Sequence, residues 1–189
     1  MTKYEPFFIS SKRLNSSKPL ALVRSSSFAD FVKTLASDEL LDAEYRAFVI
    51  CSISGGLRVS EALDLTKESF LEDPSGALYF KTKVLKKRKA DTRWARVHPA
   101  GETLVKQVLA NKIGKLFNWT AGTAFVRAKK FFKIDGLCNH SFRHSAVSYF
   151  LFEERLTSEQ AAKLIHINSK IIDTYAHLDE RATLAKCFK

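Results

Sequence analysis

Hydrophobic residues recur at helical spacing along most of this chain, and one pair of strand-like stretches interrupts them. The helical pattern covers residues 28–65, where Gly55-Gly56 breaks it, and returns from residue 101 to 177. Between these regions, residues 77–85 and 92–98 alternate as strands do. Helices followed by a hairpin and further helices predict a mostly helical α+β domain with a small antiparallel β-hairpin sheet.

The pattern also predicts individual elements. In the first strand, Leu78, Phe80, Thr82 and Val84 share one face, and Trp94 and Val97 are expected to anchor the second strand. Thr157 and Gln160 form a capping-box signal for the helix that follows them. The expected helices begin near Phe28 and then cover residues 41–53, 59–65, 101–116, 121–132, 140–154, 158–166 and 170–177.

Basic residues outnumber acidic residues by 31 to 20, which leaves a formal net charge of +11. The excess is uneven, since residues 81–96 hold eight basic residues and a single acidic one, Asp91. Residues 101–134 hold seven basic residues against Glu102 alone. Such a surplus is typical of proteins that bind nucleic acid, although ribosomal and membrane-surface proteins share it. We therefore expect one face of the domain to bind a polyanion.

The cysteines and the hydropathy give no sign of zinc, disulfide or membrane chemistry. Cys51, Cys138 and Cys187 form no CxxC pair and have no histidine at zinc-ligand spacing, so we expect small apolar fillers. No apolar run reaches about 18 residues, and the N-terminus lacks a signal-peptide core. The sequence predicts a cytoplasmic, nucleoid-associated protein with no metal and no cofactor.

A few polar residues are candidates for chemistry. His140 and Arg143 lie three apart at the start of a predicted helix, so both can face one ligand. Free backbone N–H groups and the helix dipole favour an anion at that place. Taken singly, each candidate has an ordinary structural explanation, such as a salt bridge from Arg58 to Glu61. The candidates are Arg58, His140, Arg143, His166 and Tyr175.

In combination, these residues resemble the boxes of phage-integrase-type tyrosine recombinases. Residues 55–65, GGLRVSEALDL, resemble the family's T-G-L-R-x-S-E-L-x-x-L box. HSFRH at residues 140–144 is similar to H-x-L-R-H, LIH at 164–166 to L-G-H, and DTYAH at 173–177 to the nucleophile box T-x-x-Y-x-H. The spacing matches as well, with 23 residues from Arg143 to His166 and nine from His166 to Tyr175. The resemblance covers residues 28–180.

The chain departs from the family pattern at three positions. Gly55 stands where a threonine is usual, Phe142 replaces the commoner leucine, and Ile165 replaces the glycine before the histidine. Since Phe142 and Ile165 are apolar, we expect the chemistry to survive both replacements.

The resemblance implies an enzyme that cleaves and rejoins DNA through a 3′-phosphotyrosyl intermediate on Tyr175. Arg58 and Arg143 would hold the non-bridging oxygens of the phosphate, because planar, permanently charged forks suit this task. His166 would donate a further hydrogen bond. His140 is the candidate base for the tyrosine proton.

A lysine of the hairpin would protonate the leaving 5′-oxygen. The family places this residue at the end of the second strand or in the turn, where several lysines of this chain compete. Strand parity favours Lys86, which would share the face of Leu78 and Phe80. Lys83 is the alternative, and a third interpretation is that all these lysines only neutralise backbone phosphates.

The expected organisation is a linker or arm over residues 1–26, a catalytic domain over 27–178 and a tail over 179–189. The tail either docks on a neighbouring protomer, as family tails do, or folds back onto its own core. Family members usually carry an N-terminal core-binding domain, which we expect to be absent here. The implied partners are double-stranded DNA, further copies of the chain in a synaptic tetramer, and accessory DNA-bending proteins.

Two other functions remain open from the sequence. A type IB topoisomerase or telomere resolvase would use the same residues but would relax or seal DNA rather than exchange strands. A non-catalytic basic DNA-binding protein would form no covalent adduct with DNA.

Overall fold

The computed structural model describes residues 28–84, 91–133, 139–167 and 172, and gives only the backbone of Asn139 and His140. The described part is mostly helical with a small antiparallel sheet, which confirms the predicted α+β class. Its elements are α1 (Phe28–Ala36), α2 (Ala43–Ser54), α3 (Val59–Leu63), a 3-10 turn (Lys67–Ser69), β1 (Phe70–Glu72), β2 (Leu78–Val84), β3 (Asp91–Arg96), α4 (Pro99–Ala110), α5 (Ala121–Phe132), α6 (Asn139–Phe152) and α7 (Ser158–Ile165).

Helix α2 is the centre of the core. Every residue from Tyr45 to Ser54 is buried, and α1, α4 and α6 pack around it. A helix that is enclosed on all sides in this way belongs to the interior of a domain. Phe48 contacts the rings of Phe117 and Phe142 edge-on, at centroid distances of 5.4 and 6.4 Å. Burial raises the pKa of the Cys51 thiol, which agrees with the predicted apolar filler.

The sheet has the order β1-β2-β3, and both strand pairs are antiparallel. Leu78, Phe80, Thr82 and Val84 are buried and alternate with less buried neighbours, as the sequence predicted. Strand β1 was not predicted, because a run of three residues is too short to show alternation. It precedes a turn in which Asp73 Oδ1 accepts hydrogen bonds that hold the chain in place for β2.

The prediction that Trp94 anchors β3 was wrong. The Trp94 side chain is 49% exposed, whereas Arg93 is buried. Trp94 and Val97 lie an odd number of residues apart, so one strand cannot present both to the same face. Val97 is buried and donates its backbone N–H to Leu78 O at 2.8 Å. Arg93 and Val97 are four residues apart, an even number, so Arg93 lies on the same inner face as Val97.

Helix α7 packs on α6 through a second, smaller apolar cluster of Val147, Ala161, Ile165 and Ile172. The predicted capping box is present, since Thr157 Oγ1 accepts from Gln160 N and Gln160 Oε1 accepts from Thr157 N. The capping box fixes the start of α7, and the apolar cluster holds the helix against α6.

One predicted helix ends well before its predicted bound, and another lies almost wholly outside the described residues. Helix α4 ends at Ala110 rather than at Leu116, which instead lies in a non-helical segment and donates its N–H to Leu65 O at 2.9 Å. Gly114, with φ +69°, is incompatible with a continued helix. Of the predicted helix 170–177, only Ile172 is among the described residues.

Two helical glycines give a matched test of this packing. A Cβ at Gly101 would lie 2.7 Å from Ile50 Cγ2, whereas a Cβ at Gly122 would meet only Thr120 Oγ1 at 3.6 Å. Gly101→Ala should therefore lower the free energy of unfolding by about 1 to 3 kcal/mol through overpacking between α4 and α2. Gly122→Ala should raise it by up to about 1 kcal/mol, because alanine restricts the unfolded chain. Urea unfolding measures both, and equal effects would contradict the close approach of α4 to α2.

Candidate active site

Arg58 and Glu61 form the first part of the site, at the start of α3. Gly56, with φ +55°, turns the chain between α2 and α3 in a conformation that a side chain would strain. Glu61 Oε2 accepts from the backbone N–H of Arg58 at 2.8 Å, and Oε1 accepts from Arg58 Nη1 at 2.6 Å. The Glu61 side chain is only 1% exposed. The local ion pair named as the ordinary explanation for Arg58 is therefore present, but Glu61 has further partners.

Arg143 reaches the same carboxylate from α6. Its Nη1 lies 3.6 Å from Glu61 Oε2 and donates to Gly56 O at 2.6 Å. Its Nη2 donates to Ile165 O at 2.7 Å. One buried guanidinium thus ties the bend before α3 to the end of α7. It also brings Arg143 and Arg58 to a common carboxylate.

A third arginine of this cluster, Arg93 on β3, was missed in the sequence analysis. Its Nη2 lies 3.8 Å from Glu61 Oε2, and its Nη1 donates to Leu164 O at 2.8 Å. The Arg93 side chain is 4% exposed. The signal that could have found it is its parity with Val97, which places it on the inner face of the hairpin.

Among the described residues, three positive side chains of this cluster meet at one negative side chain. Within the described ranges, the guanidinium groups of Arg58, Arg143 and Arg93 lie 2.6, 3.6 and 3.8 Å from the carboxylate of Glu61, in a poorly hydrated place. Burial lowers the pKa of Arg93 to about 10, with Glu61 opposing this effect and the two other arginines adding to it. Arg93 is still protonated at neutral pH. Such an arrangement favours the binding of an anion, because Coulomb attraction is strong where water is scarce.

His166 lies beside this cluster as the C-cap of α7. Its backbone is left-handed, with φ 49° and ψ 55°, and its N–H bonds to Ala162 O. The carbonyl of the preceding residue, Ile165, is the one that Arg143 holds. His166 Nδ1 lies 3.8 Å from Asp91 Oδ2, and a quarter of the imidazole side chain is exposed. The ring is therefore accessible while the backbone beneath it is fixed.

The structure describes the side chains of three predicted catalytic residues. Arg58 and Arg143 meet at Glu61, and His166 directly follows the carbonyl of Ile165 that Arg143 holds. His140 lies in α6, three residues before Arg143, but its side chain is outside the described part. Tyr175 also lies outside the described residues.

Of the two candidate lysines of the hairpin, the structure describes Lys83 alone. Lys86 lies outside the described residues. Lys83 is exposed in β2, next to the buried Thr82, which pairs directly with Arg93. Neighbouring strand residues point to opposite faces, so Lys83 leaves the strand on the side opposite Thr82, yet it lines the same surface depression as Glu61.

Within the described ranges, no three His, Cys, Asp or Glu side chains come close enough to hold a metal ion. Over the same residues, no helix combines the length and the apolar character needed to cross a membrane.

Comparison with known proteins gives matches among solved structures only; no protein-family model and no curated protein matches the sequence. The XerH site-specific recombinase bound to difH substrate, in a pre-cleavage complex, aligns with a TM-score of 0.62 and 20% identity, over 84% of this chain and 51% of that chain. The post-cleavage complex of XerH with palindromic difH substrate gives a TM-score of 0.63 and 19% identity, over 84% and 50%. The catalytic domain of bacteriophage HP1 integrase gives 0.56 and 17%, over 79% and 83%.

This chain has the fold of a tyrosine recombinase catalytic domain. The fold that the four sequence boxes implied is thereby confirmed. The chain spans about half the length of the XerH chains that it matches. Within the tyrosine recombinase fold, the arginine cluster joins α3, β3 and α6 around one buried carboxylate.

The dependence of the cluster on Glu61 can be measured. Glu61→Gln keeps the size of the side chain but removes the carboxylate that the three arginines share, so the free energy of unfolding should fall by about 3 to 5 kcal/mol. The matched control is Glu72→Gln, because Glu72 is 53% exposed and its pair with Lys106 lies at the surface. The control should lose less than about 1 kcal/mol.

Urea unfolding of both variants, with and without sulfate, provides the comparison. Sulfate should restore more stability to Glu61→Gln than to Glu72→Gln, because an anion can take the place of the missing carboxylate. Equal losses in the two variants would show that Glu61 does not hold the cluster together.

Proposed function

We propose that this chain is the catalytic domain of a site-specific tyrosine recombinase of the integrase class, which cleaves and rejoins double-stranded DNA through a 3′-phosphotyrosyl bond to Tyr175. The observation that carries the proposal is the gathering of Arg58 and Arg143 at one buried carboxylate, with His166 held beside them. The fold likeness and the net charge of +11 support it.

The arginine cluster suits a phosphodiester because its non-bridging oxygens carry charge that increases in the transition state. Arg58 is the most exposed of the three arginines, with a side chain 18% exposed against 6% for Arg143 and 4% for Arg93. Glu61 accepts one hydrogen bond from the backbone N–H of Arg58 and one from its Nη1, so this guanidinium is oriented before a phosphate arrives. Removing one such preorganised donor typically costs about 3 to 4 kcal/mol of transition-state stabilisation.

The chemical step follows from the boxes that the chain shares with the family. The Tyr175 oxygen attacks phosphorus while the bond from phosphorus to the 5′-oxygen breaks. The phenol, with an ordinary pKa of about 10, gives its proton to His140. Lys86 protonates the leaving 5′-oxygen, and a 5′-hydroxyl later displaces Tyr175. Because the phosphotyrosyl bond conserves the energy of the phosphodiester, rejoining requires no ATP.

The proposed partners follow from the same chemistry. The XerH structures are complexes with difH substrate, before and after cleavage. For this chain we propose double-stranded DNA, further copies of the chain in a synaptic tetramer, and accessory DNA-bending proteins. A DNA-bound protein of this kind would be cytoplasmic and nucleoid-associated. Its affinity for DNA should fall steeply with salt, because lysine and arginine contacts to phosphate release counterions.

The nucleophile is tested by Tyr175→Phe. This variant should bind a nicked half-site about as tightly as the wild type but form no covalent adduct, since only the attacking oxygen is lost. The matched control is Tyr45→Phe, because Tyr45 is buried and its hydroxyl has no hydrogen-bond partner among the described residues. The control should form the adduct at the wild-type rate. Denaturing gel electrophoresis and peptide mapping give the readout, and an adduct on another residue of Tyr175→Phe would refute the assignment.

The wild-type protein used for the adduct assay also distinguishes recombination from topoisomerase activity. A recombinase should join two half-sites in a reaction that depends on protein concentration. Relaxation of supercoiled DNA by single protomers, without pairing of sites, would favour a type IB topoisomerase instead.

A further inference from the structure

The last carbonyls of α7 have partners that few helix ends possess. Arg93 Nη1 donates to Leu164 O at 2.8 Å, and Arg143 Nη2 donates to Ile165 O at 2.7 Å. Two successive carbonyls directly before His166 are thus each held by a buried guanidinium. Carbonyls at a helix C-terminus lack partners within the helix, so these two bonds fix the backbone that carries His166.

Strand β3 makes a second contact in the same place. Asp91 and Arg93 are two residues apart and therefore lie on one face of the strand. Asp91 Oδ2 lies 3.8 Å from His166 Nδ1, within the range of an ion pair when the imidazole is protonated. The strand thus contacts both the ring of His166 and the backbone two residues before it.

A purely structural role does not explain an arginine at this position. The Arg93 side chain is 4% exposed, and its Nη2 makes no hydrogen bond among the described residues, with Glu61 Oε2 3.8 Å away. Burying an incompletely paired cation is costly, and an apolar residue on the inner face of a hairpin avoids that cost. The bond to Leu164 O is what an apolar residue could not supply.

We propose that Arg93 is a positioning residue for His166, with Asp91 as a second contact from the same strand. This inference rests on the proposed function, because it assigns His166 a role at the phosphate. Donors to a transition state must be held within about 0.5 Å of their working position. Loss of the Arg93 bond leaves Arg143 as the remaining donor to the end of α7, so His166 should shift out of that range while the DNA-binding surface stays unchanged.

The first test is the variant Arg93→Lys. Lysine keeps the positive charge but has one ammonium group in place of the two Nη groups of the guanidinium. Cleavage of a nicked half-site at saturating protein should slow by about 10- to 100-fold, the usual effect of a small misplacement. DNA affinity should change by less than about threefold. The matched control is Arg46→Lys, since Arg46 is also buried and donates to a backbone carbonyl, that of Ala36, outside the site. The control should cleave at the wild-type rate, and melting temperatures identify any loss of folding.

The second test combines Arg93→Lys with His166→Ala. If Arg93 acts through His166, its substitution should cause no further loss of cleavage rate once the imidazole is gone. Asp91→Asn should behave in the same way, with a smaller effect in the wild-type background. Single-turnover cleavage over long times keeps the slow variants measurable.

The outcomes separate this inference from the proposed function. If the wild type is active and the losses caused by Arg93→Lys and His166→Ala multiply in the double variant, the positioning role is overturned. The recombinase assignment then still stands. An equal loss in Arg46→Lys would overturn the positioning role as well, since any buried arginine would then give the effect. A folded wild type that forms no adduct would overturn the proposed function, and this inference with it.

Discussion

The buried carboxylate of Glu61 is the interaction on which the rest of the site depends. A charge that is 1% exposed is stable only when it is paired, and its partners come from three separate elements. Arg58 lies at the start of its own helix, Arg143 comes from α6 and Arg93 from β3. Folding the domain therefore assembles the cluster. Among the described residues, three cations meet at this one anion, so the pairing that stabilises the fold also gathers positive charge in one place.

Most of the helical framework could be predicted from the sequence because hydrophobic periodicity follows directly from burial on one side of a helix. Helix α5 has the predicted bounds, and the capping box begins α7 as expected. The three candidate residues whose side chains the structure describes, Arg58, Arg143 and His166, were found by a different route. Ordered boxes with fixed spacing identified them, whereas each residue alone had an ordinary explanation. Periodicity thus predicted the scaffold, and only the combination of motifs predicted the candidate site.

Arg93 could not be predicted in this way, because hydrophobic patterning assigns charged residues to the surface. On β3 that rule pointed to Trp94 as the anchor, and the structure places the tryptophan outside and the arginine inside. The reason lies in Glu61, which is distant in sequence and supplies the negative charge that makes a buried arginine tolerable. Strand parity counted from Val97 was the one local signal. The pairing of Arg93 with Glu61 exists only in the folded chain, so hydrophobic patterning along the sequence does not predict it.

The isoleucine of the third box shows how a departure from the family pattern is accommodated. The family pattern has glycine before the histidine, whereas here Ile165 ends α7 and His166 has the left-handed conformation. The Ile165 side chain packs over Gly56, where an added Cβ would lie 2.6 Å from its Cγ2. Arg143 donates to the carbonyls of both residues. The absence of a side chain is thus needed at Gly56 rather than at position 165, and the first and third boxes keep their contact through Arg143.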